Sequence, residues 1–151
     1  MIQQRYGGAL EAIRRRVEGL YGERLVTLAV FGSVGRGAGG PDSDIDLLIV
    51  ARRLPWGRIA RMTEFRRVED RLAEAPDPEV AGLAQRLSPV IKTPEETRAG
   101  SPLFLDMLED ACLLVGGRWF RRGSRVSGRR RNRGERFLTA SRSRLQRMSF
   151  P

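Results

Sequence analysis

Between two short apolar runs, Leu25 to Phe31 and Asp44 to Val50, the chain places five glycines within Gly32 to Gly40. No stable helix runs through that density, because each interior glycine costs about 1 kcal/mol relative to alanine. The segment must be a tight loop or turn, folded around a very short helical start at most. Leu25 to Phe31 is apolar and β-branched and stops at Gly32, which predicts a buried strand. Asp44 to Val50 alternates over its first half and then becomes solidly apolar, which predicts a second, central strand.

The flanks predict helices. Ile2, Tyr6, Leu10, Ile13, Val17 and Leu20 recur at three- and four-residue steps, giving an amphipathic helix over about residues 2 to 21. Pro55 at a first helical position leads into Ile59, Met62, Phe65, Val68 and Leu72, a second such helix broken by Pro76-Asp77-Pro78. A short helical piece with Val80, Leu83 and Leu87 follows. Pro89 to Lys92 reads as an edge strand, since proline cannot donate to a central ladder. Thr93-Pro94-Glu95-Glu96 is a capping box, and Ser101-Pro102 starts a helix to about Asp110. Cys112 to Val115 and Arg118 to Phe120, around Gly116-Gly117, read as a small hairpin. The fold class is α/β (α+β): a small mixed sheet with helices packed on one side.

Charge divides the chain in two. Residues 118 to 151 hold 12 Arg and one acid, whereas residues 1 to 117 hold 16 basic and 17 acidic residues. The reading is a domain over residues 1–120 and an arginine-rich tail over 121–151, irregular or disordered because it lacks apolar periodicity. Clustered Arg neutralises phosphate, so the tail leaves nucleic acid open as a partner. An apolar run such as Leu47 to Ala51 is far too short to span a bilayer. The N-terminus carries no signal-like stretch, and the lone Cys112 sits among Leu and Val as a small hydrophobe. These features predict a cytoplasmic protein with no membrane partner.

Histidine is absent. That excludes Ser-His-Asp and Cys-His nucleophiles and any His-ligated zinc. A metal here would need oxygen ligands, which favours Mg²⁺, Mn²⁺ or Ca²⁺. Asp44 and Asp46, two apart on a strand, project from one face. Side by side and partly buried they repel, and a divalent cation removes the conflict. Gly32-Ser33, directly after a strand, offers backbone amides without a Cβ in the way, plus a hydroxyl, which suits phosphate. The formal Gly35-x-Gly37-x-x-Gly40 match to the dinucleotide fingerprint fails, because Pro41 and a strand follow where a helix should open. A P-loop fails too, since the only lysine is Lys92.

Gly32-Ser33 followed by Asp44-Ile45-Asp46 resembles the signature of the DNA polymerase β-type nucleotidyltransferases. The stretch from Gly32 to Gly37 leading to Pro41 through Leu48 looks like their minimal nucleotidyltransferase (MNT) group. The resemblance implies a polymerase β-like fold and Asp44 and Asp46 as catalytic ligands of Mg²⁺, with Mn²⁺ as a substitute. Gly32, Ser33 and Arg36 would bind the nucleotide. It implies transfer of a nucleoside monophosphate from a nucleoside triphosphate to an acceptor hydroxyl, with release of pyrophosphate. Members that catalyse usually carry a third acid on a later strand. The candidate strand, Leu87 to Lys92, has none. Glu95 and Glu96 are explained by capping, and Asp106, Glu109 and Asp110 by a solvated helix face. The resemblance therefore also implies a second role, an antitoxin-like interaction protein paired with a helical HEPN-like partner.

Overall fold

A computed structural model describes residues 2–100 and 111–116 of the chain. The expected helix from Ser101 to Asp110, the second hairpin strand from Arg118 to Phe120 and the tail lie outside these residues. All elements named below belong to a compact unit that ends at Val115.

Helix α1 spans Ile2–Tyr21 and leads through a 3₁₀ turn into strand β1, Leu25–Phe31. One helical turn, α2 (Gly32–Gly35), and an irregular loop precede β2, Ile45–Ala51. Helix α3 (Arg58–Ala73), the short α4 (Pro78–Gly82) and a 3₁₀ turn carry the chain to β3, Leu87–Lys92. Helix α5 spans Pro94–Ala99 and β4 spans Cys112–Val115. Among the described residues no helix is long and apolar enough to cross a membrane.

The sheet is mixed, in the order β3-β2-β1-β4. β1 pairs antiparallel with β2 and with β4, whereas β2 pairs parallel with β3. A parallel pair needs a crossover, and α3 to α4 supplies it. β3 is an edge strand, as Pro89 predicts. Its outer side is blunted twice over: Pro89 has no N–H to offer, and the Ile91 carbonyl accepts from Arg61 at 3.2 Å. β4 lies on the other edge against β1, so Cys112 to Val115 does form the expected strand. Cys112 is buried, and that burial pushes its thiol up to about 11.

Alternation sorts the side chains. Ile45, Leu47 and Ile49 of β2, with Leu28 and Val30 of β1, are fully buried, as are Ile13, Val17, Phe65, Val68 and Leu72 of α1 and α3. The two helices pack on one another. On the face that Asp46 shares, Leu48 and Val50 form a cluster with Ala29, and Phe31, Val90 and Leu113 close around it.

Three local expectations are corrected. β2 begins at Ile45, so Asp44 stands one residue ahead of the strand. Just before it, the Ser43 carbonyl accepts from Arg86 Nε and Nη2 (3.0 and 2.7 Å), so it is taken up by a side chain. α3 begins at Arg58 and not at Pro55, because Gly57 adopts φ 87, outside helical space. Ile59, expected on the apolar stripe, is 84% exposed, and Arg61 is buried on that turn instead. The capping box at Thr93 forms as expected, with Thr93 and Glu96 exchanging hydrogen bonds.

Candidate active site

The candidate site forms where the β1–β2 loop meets the start of β2. Gly32 adopts φ +67, a conformation that only glycine takes without strain. A Cβ there would overlap the Asp46 Oδ2 atom and stand 3.2 Å from its Cγ. The Asp46 carboxylate thus fills the space that a side chain at Gly32 would need. Ser33 and Val34 continue the single turn, and the Arg36 N–H donates to the Gly32 carbonyl at 3.1 Å.

The loop from Arg36 to Asp44 is pinned by distant residues. The Tyr6 hydroxyl of α1 lies against the carbonyls of Gly39 and Gly40, at 2.5 and 3.0 Å. The Gly40 N–H donates to Ser43 Oγ at 2.8 Å. Gly39 is buried, and a Cβ on it would lie 2.8 Å from Val34 Cγ2. With Arg86 on the Ser43 carbonyl, these contacts fix where Asp44 is presented.

Asp44 and Asp46 are brought together. Burial raises the Asp46 pKa, and the neighbouring Asp44 charge raises it further. The Ser88 hydroxyl and the Arg36 charge pull it the other way. Arg36 is exposed and reaches the carboxylate only through its field. Register explains Ser88, which is the β3 partner of Asp46, as Phe31 is its β1 partner. A serine therefore stands where β3 could have offered a third carboxylate. Among the described residues no group of three or more acids, His or Cys gathers. Two hard oxygen donors that repel one another, one of them packed against a glycine with no Cβ, fit a small divalent cation.

Sequence patterns missed Tyr6, Ser88 and Arg86. Tyr6 lay in the apolar stripe of α1, where its hydroxyl was the sole hint. The positions of Ser88 and Arg86 follow from the parallel β2–β3 register, which no local pattern specifies. A cavity of about 570 Å³ lies elsewhere, against the Lys92 end of β3.

A family model of the nucleotidyltransferase domain matches residues 10–96, more than half of the chain. The chain belongs to that family. The match runs from within α1 through the capping box of α5, so Gly32, Ser33, Arg36, Asp44, Asp46 and Ser88 all lie within the matched stretch, and Tyr6 lies just ahead of it. A protein of Methanocaldococcus jannaschii, provisionally named a protein adenylyltransferase, is 33% identical over 61 residues. That match covers 40% of this chain and 42% of the relative. Among solved structures, a chain of a toxin–antitoxin complex crystallised with AMP-PNP superposes with a TM-score of 0.50 at 18% identity, covering 92% of this chain and 88% of that one. A chain from a Shewanella oneidensis complex of a tri-AMPylated HEPN toxin with its MNT antitoxin is a looser match, with a TM-score of 0.41 at 16% identity over 98% and 89% of the two chains. At these identities the structural likeness is one of fold, the polymerase β-like nucleotidyltransferase fold.

Proposed function

We propose that the protein transfers a nucleoside monophosphate from a nucleoside triphosphate to an acceptor hydroxyl in a Mg²⁺-dependent reaction. The carrying observation is the Asp46 carboxylate set against Gly32, with Asp44 close enough to raise its pKa. Asp44 and Asp46 would hold Mg²⁺ or Mn²⁺, which when bound supplies charge neutralisation at the phosphates and polarises an attacking oxygen. Gly32 and Ser33 bind the outer phosphates through backbone amides and the Ser33 hydroxyl. Arg36 adds a positive charge beside the same recess. Positioning and charge are what phosphoryl chemistry asks of a protein, so the absence of histidine is no obstacle.

Ser88 across from Asp46 favours a second reading. A site with two carboxylates can bind a nucleotide while transferring it slowly, and the protein would then act chiefly through a partner. The M. jannaschii relative suggests protein side chains as acceptors, and the toxin–antitoxin structure suggests a toxin-like chain as that partner. The resemblance of the Gly-Ser and Asp-x-Asp signature adds that such a partner would be helical and HEPN-like.

Incubation with α-³²P-labelled nucleoside triphosphates, Mg²⁺ and cell lysate tests the first reading. Label should appear on an acceptor only with Mg²⁺ and should vanish in Asp46→Asn. A wild-type protein that binds no triphosphate by calorimetry, with or without Mg²⁺, would exclude transfer. Triphosphate bound but never transferred would leave the partner reading.

A further inference from the structure

Trp56 is 95% exposed and Ile59 84% exposed, the two large apolar side chains that the described residues leave in solvent. Both stand where β2 hands over to α3. An indole left in water forfeits the contact area for which aromatic side chains are normally used. Its segment is nevertheless well tied. The Arg52 N–H donates to the Arg24 carbonyl (2.8 Å), Arg24 Nη1 to the Arg53 carbonyl (3.2 Å) and Arg61 Nε to the Pro55 carbonyl (3.0 Å). Arg53 is held at φ 51, uncommon for a residue with a side chain. The backbone is fixed, and the indole is held away from it.

Trp56 lines the open depression of about 570 Å³, together with Met62, Val90, Arg58, Lys92 and Glu96. The depression is open along much of its surface, as suits a chain laid across it rather than an enclosed small molecule. Arg52, Arg53, Arg58 and Lys92 are all exposed. Of the nearby acids, Glu64 is engaged by Arg24 and Glu96 by Arg61, although Glu96 also lines the cavity within the field of Lys92, and Glu95 beside it is exposed. The surface therefore combines a bare aromatic face, some apolar lining and an excess of positive charge, with four exposed cations, Arg52, Arg53, Arg58 and Lys92, against Glu95 and the partly engaged Glu96.

An extended polypeptide is poorly served here. Strand addition to β3 meets Pro89, which cannot donate, and the Ile91 carbonyl, which Arg61 already occupies. Stacking on an indole and neutralisation of phosphate need no backbone partner. A strand brings a phosphate with every base, so it can use the indole and several cations at once. We propose that this surface binds single-stranded nucleic acid, with a base stacked on Trp56 and backbone phosphates against Arg58 and Lys92. It lies at the Ala51 end of β2, while the two aspartates lie at the other end, so it stands independently of the transfer reading.

The chain has two tryptophans, Trp56 and Trp119. The full-length protein carrying Trp119→Phe makes Trp56 the sole indole reporter. A twelve-nucleotide single-stranded RNA should quench its fluorescence to saturation. Arg58→Glu combined with Lys92→Glu should weaken that quenching about tenfold or more at low salt. Loss of two phosphate contacts should also flatten the plot of log affinity against log salt by about 1.4. If Trp119→Phe does not fold, the quenching lost between wild type and Trp56→Ala gives the same signal. Labelled RNA that binds by anisotropy while Trp56 stays unquenched overturns the proposal, because the contact is then elsewhere. An amphipathic helical peptide of Glu and Leu that quenches Trp56 where RNA does not also overturns it and assigns the surface to a polypeptide.

Discussion

The two ends of the β2–β3 pair treat charge in opposite ways. At the Lys92 end, Arg61 is buried, yet every direction it faces is answered: the Pro55 and Ile91 carbonyls at 3.0 and 3.2 Å, and both Glu96 oxygens at 2.8 and 3.1 Å. Its hydrogen bond is the main reason that the Glu96 pKa is lowered. At the Ile45 end, Asp46 is partly buried beside a second acid, and its pKa is raised. A paired charge stabilises the fold, whereas an unanswered one waits for something the fold does not contain. The comparison separates a structural ion pair from a candidate site within one sheet.

The contrast breaks most sharply at Asp46. Asp46→Asn should lower Mg²⁺-dependent ATP affinity more than about 100-fold, since groups that merely support metal ligands already cost 10–100-fold when lost. The same substitution should stabilise the metal-free protein. The Asp46 pKa lies above its ordinary 3.8 in the folded state, so protonation favours folding at low pH. Stability is lost as pH rises from the ordinary value through the raised one, and above both the full penalty remains. Metal-free melting curves should therefore place Asp46→Asn above wild type at pH 7 and level with it near pH 3. A mutant less stable at pH 7 would mean that Asp46 is a structural acid.

Arg61→Met tests the opposite end. Removing a buried cation with several hydrogen bonds should cost about 1.5–3 kcal/mol in urea unfolding. The lower half of that range is favoured, because the Glu96 side chain is 40% exposed and can turn to water. The Glu96 pKa is lowered in the fold, so the pair's contribution is present above the ordinary 4.5 and is lost as pH falls through the lowered value. The mutant should lack that acid-side loss. ATP binding should change little, which keeps the two ends distinct.

Gly32→Ala probes the recess itself. The φ of +67 costs a non-glycine residue about 1–2 kcal/mol, and the new methyl displaces the Asp46 carboxylate. Affinity for Mg²⁺–ATP should fall roughly 5–30-fold, as calorimetry would show. A mutant that binds as wild type does would place the nucleotide elsewhere.

What could be read from the sequence was what local spacing encodes. The stripe from Tyr6 to Leu20 gave α1, β-branching gave β1, and Thr93 to Glu96 gave its cap. The Gly-Ser and Asp-x-Asp spacing gave the candidate site, because two strands and a short loop leave little freedom between them. Contacts between distant segments could not be read. Arg61 meets Glu96 across 35 residues, and an arginine amid other arginines carries no mark of burial. Ser88 faces Asp46 only through a register set by a crossover, and Ile59 lost its expected place to that same buried Arg61.

Ser33→Ala should produce the smallest of these effects, and the reason sharpens the comparison. Ser33 lies in the turn that Gly32 opens, and its backbone conformation asks nothing of its side chain. Alanine suits a helical turn at least as well, so the melting temperature should hold. If the hydroxyl contacts an outer phosphate, one hydrogen bond is lost, worth about 0.5–1.5 kcal/mol, or roughly a 2–10-fold weaker ATP affinity. The backbone amides of Gly32 and Ser33 remain, so Mg²⁺ dependence should persist, unlike in Asp46→Asn. Titrations of ATP against Ser33→Ala with and without Mg²⁺ decide this. A loss as large as that of Asp46→Asn would make the hydroxyl a principal ligand and move the weight of the site from the carboxylates to the loop.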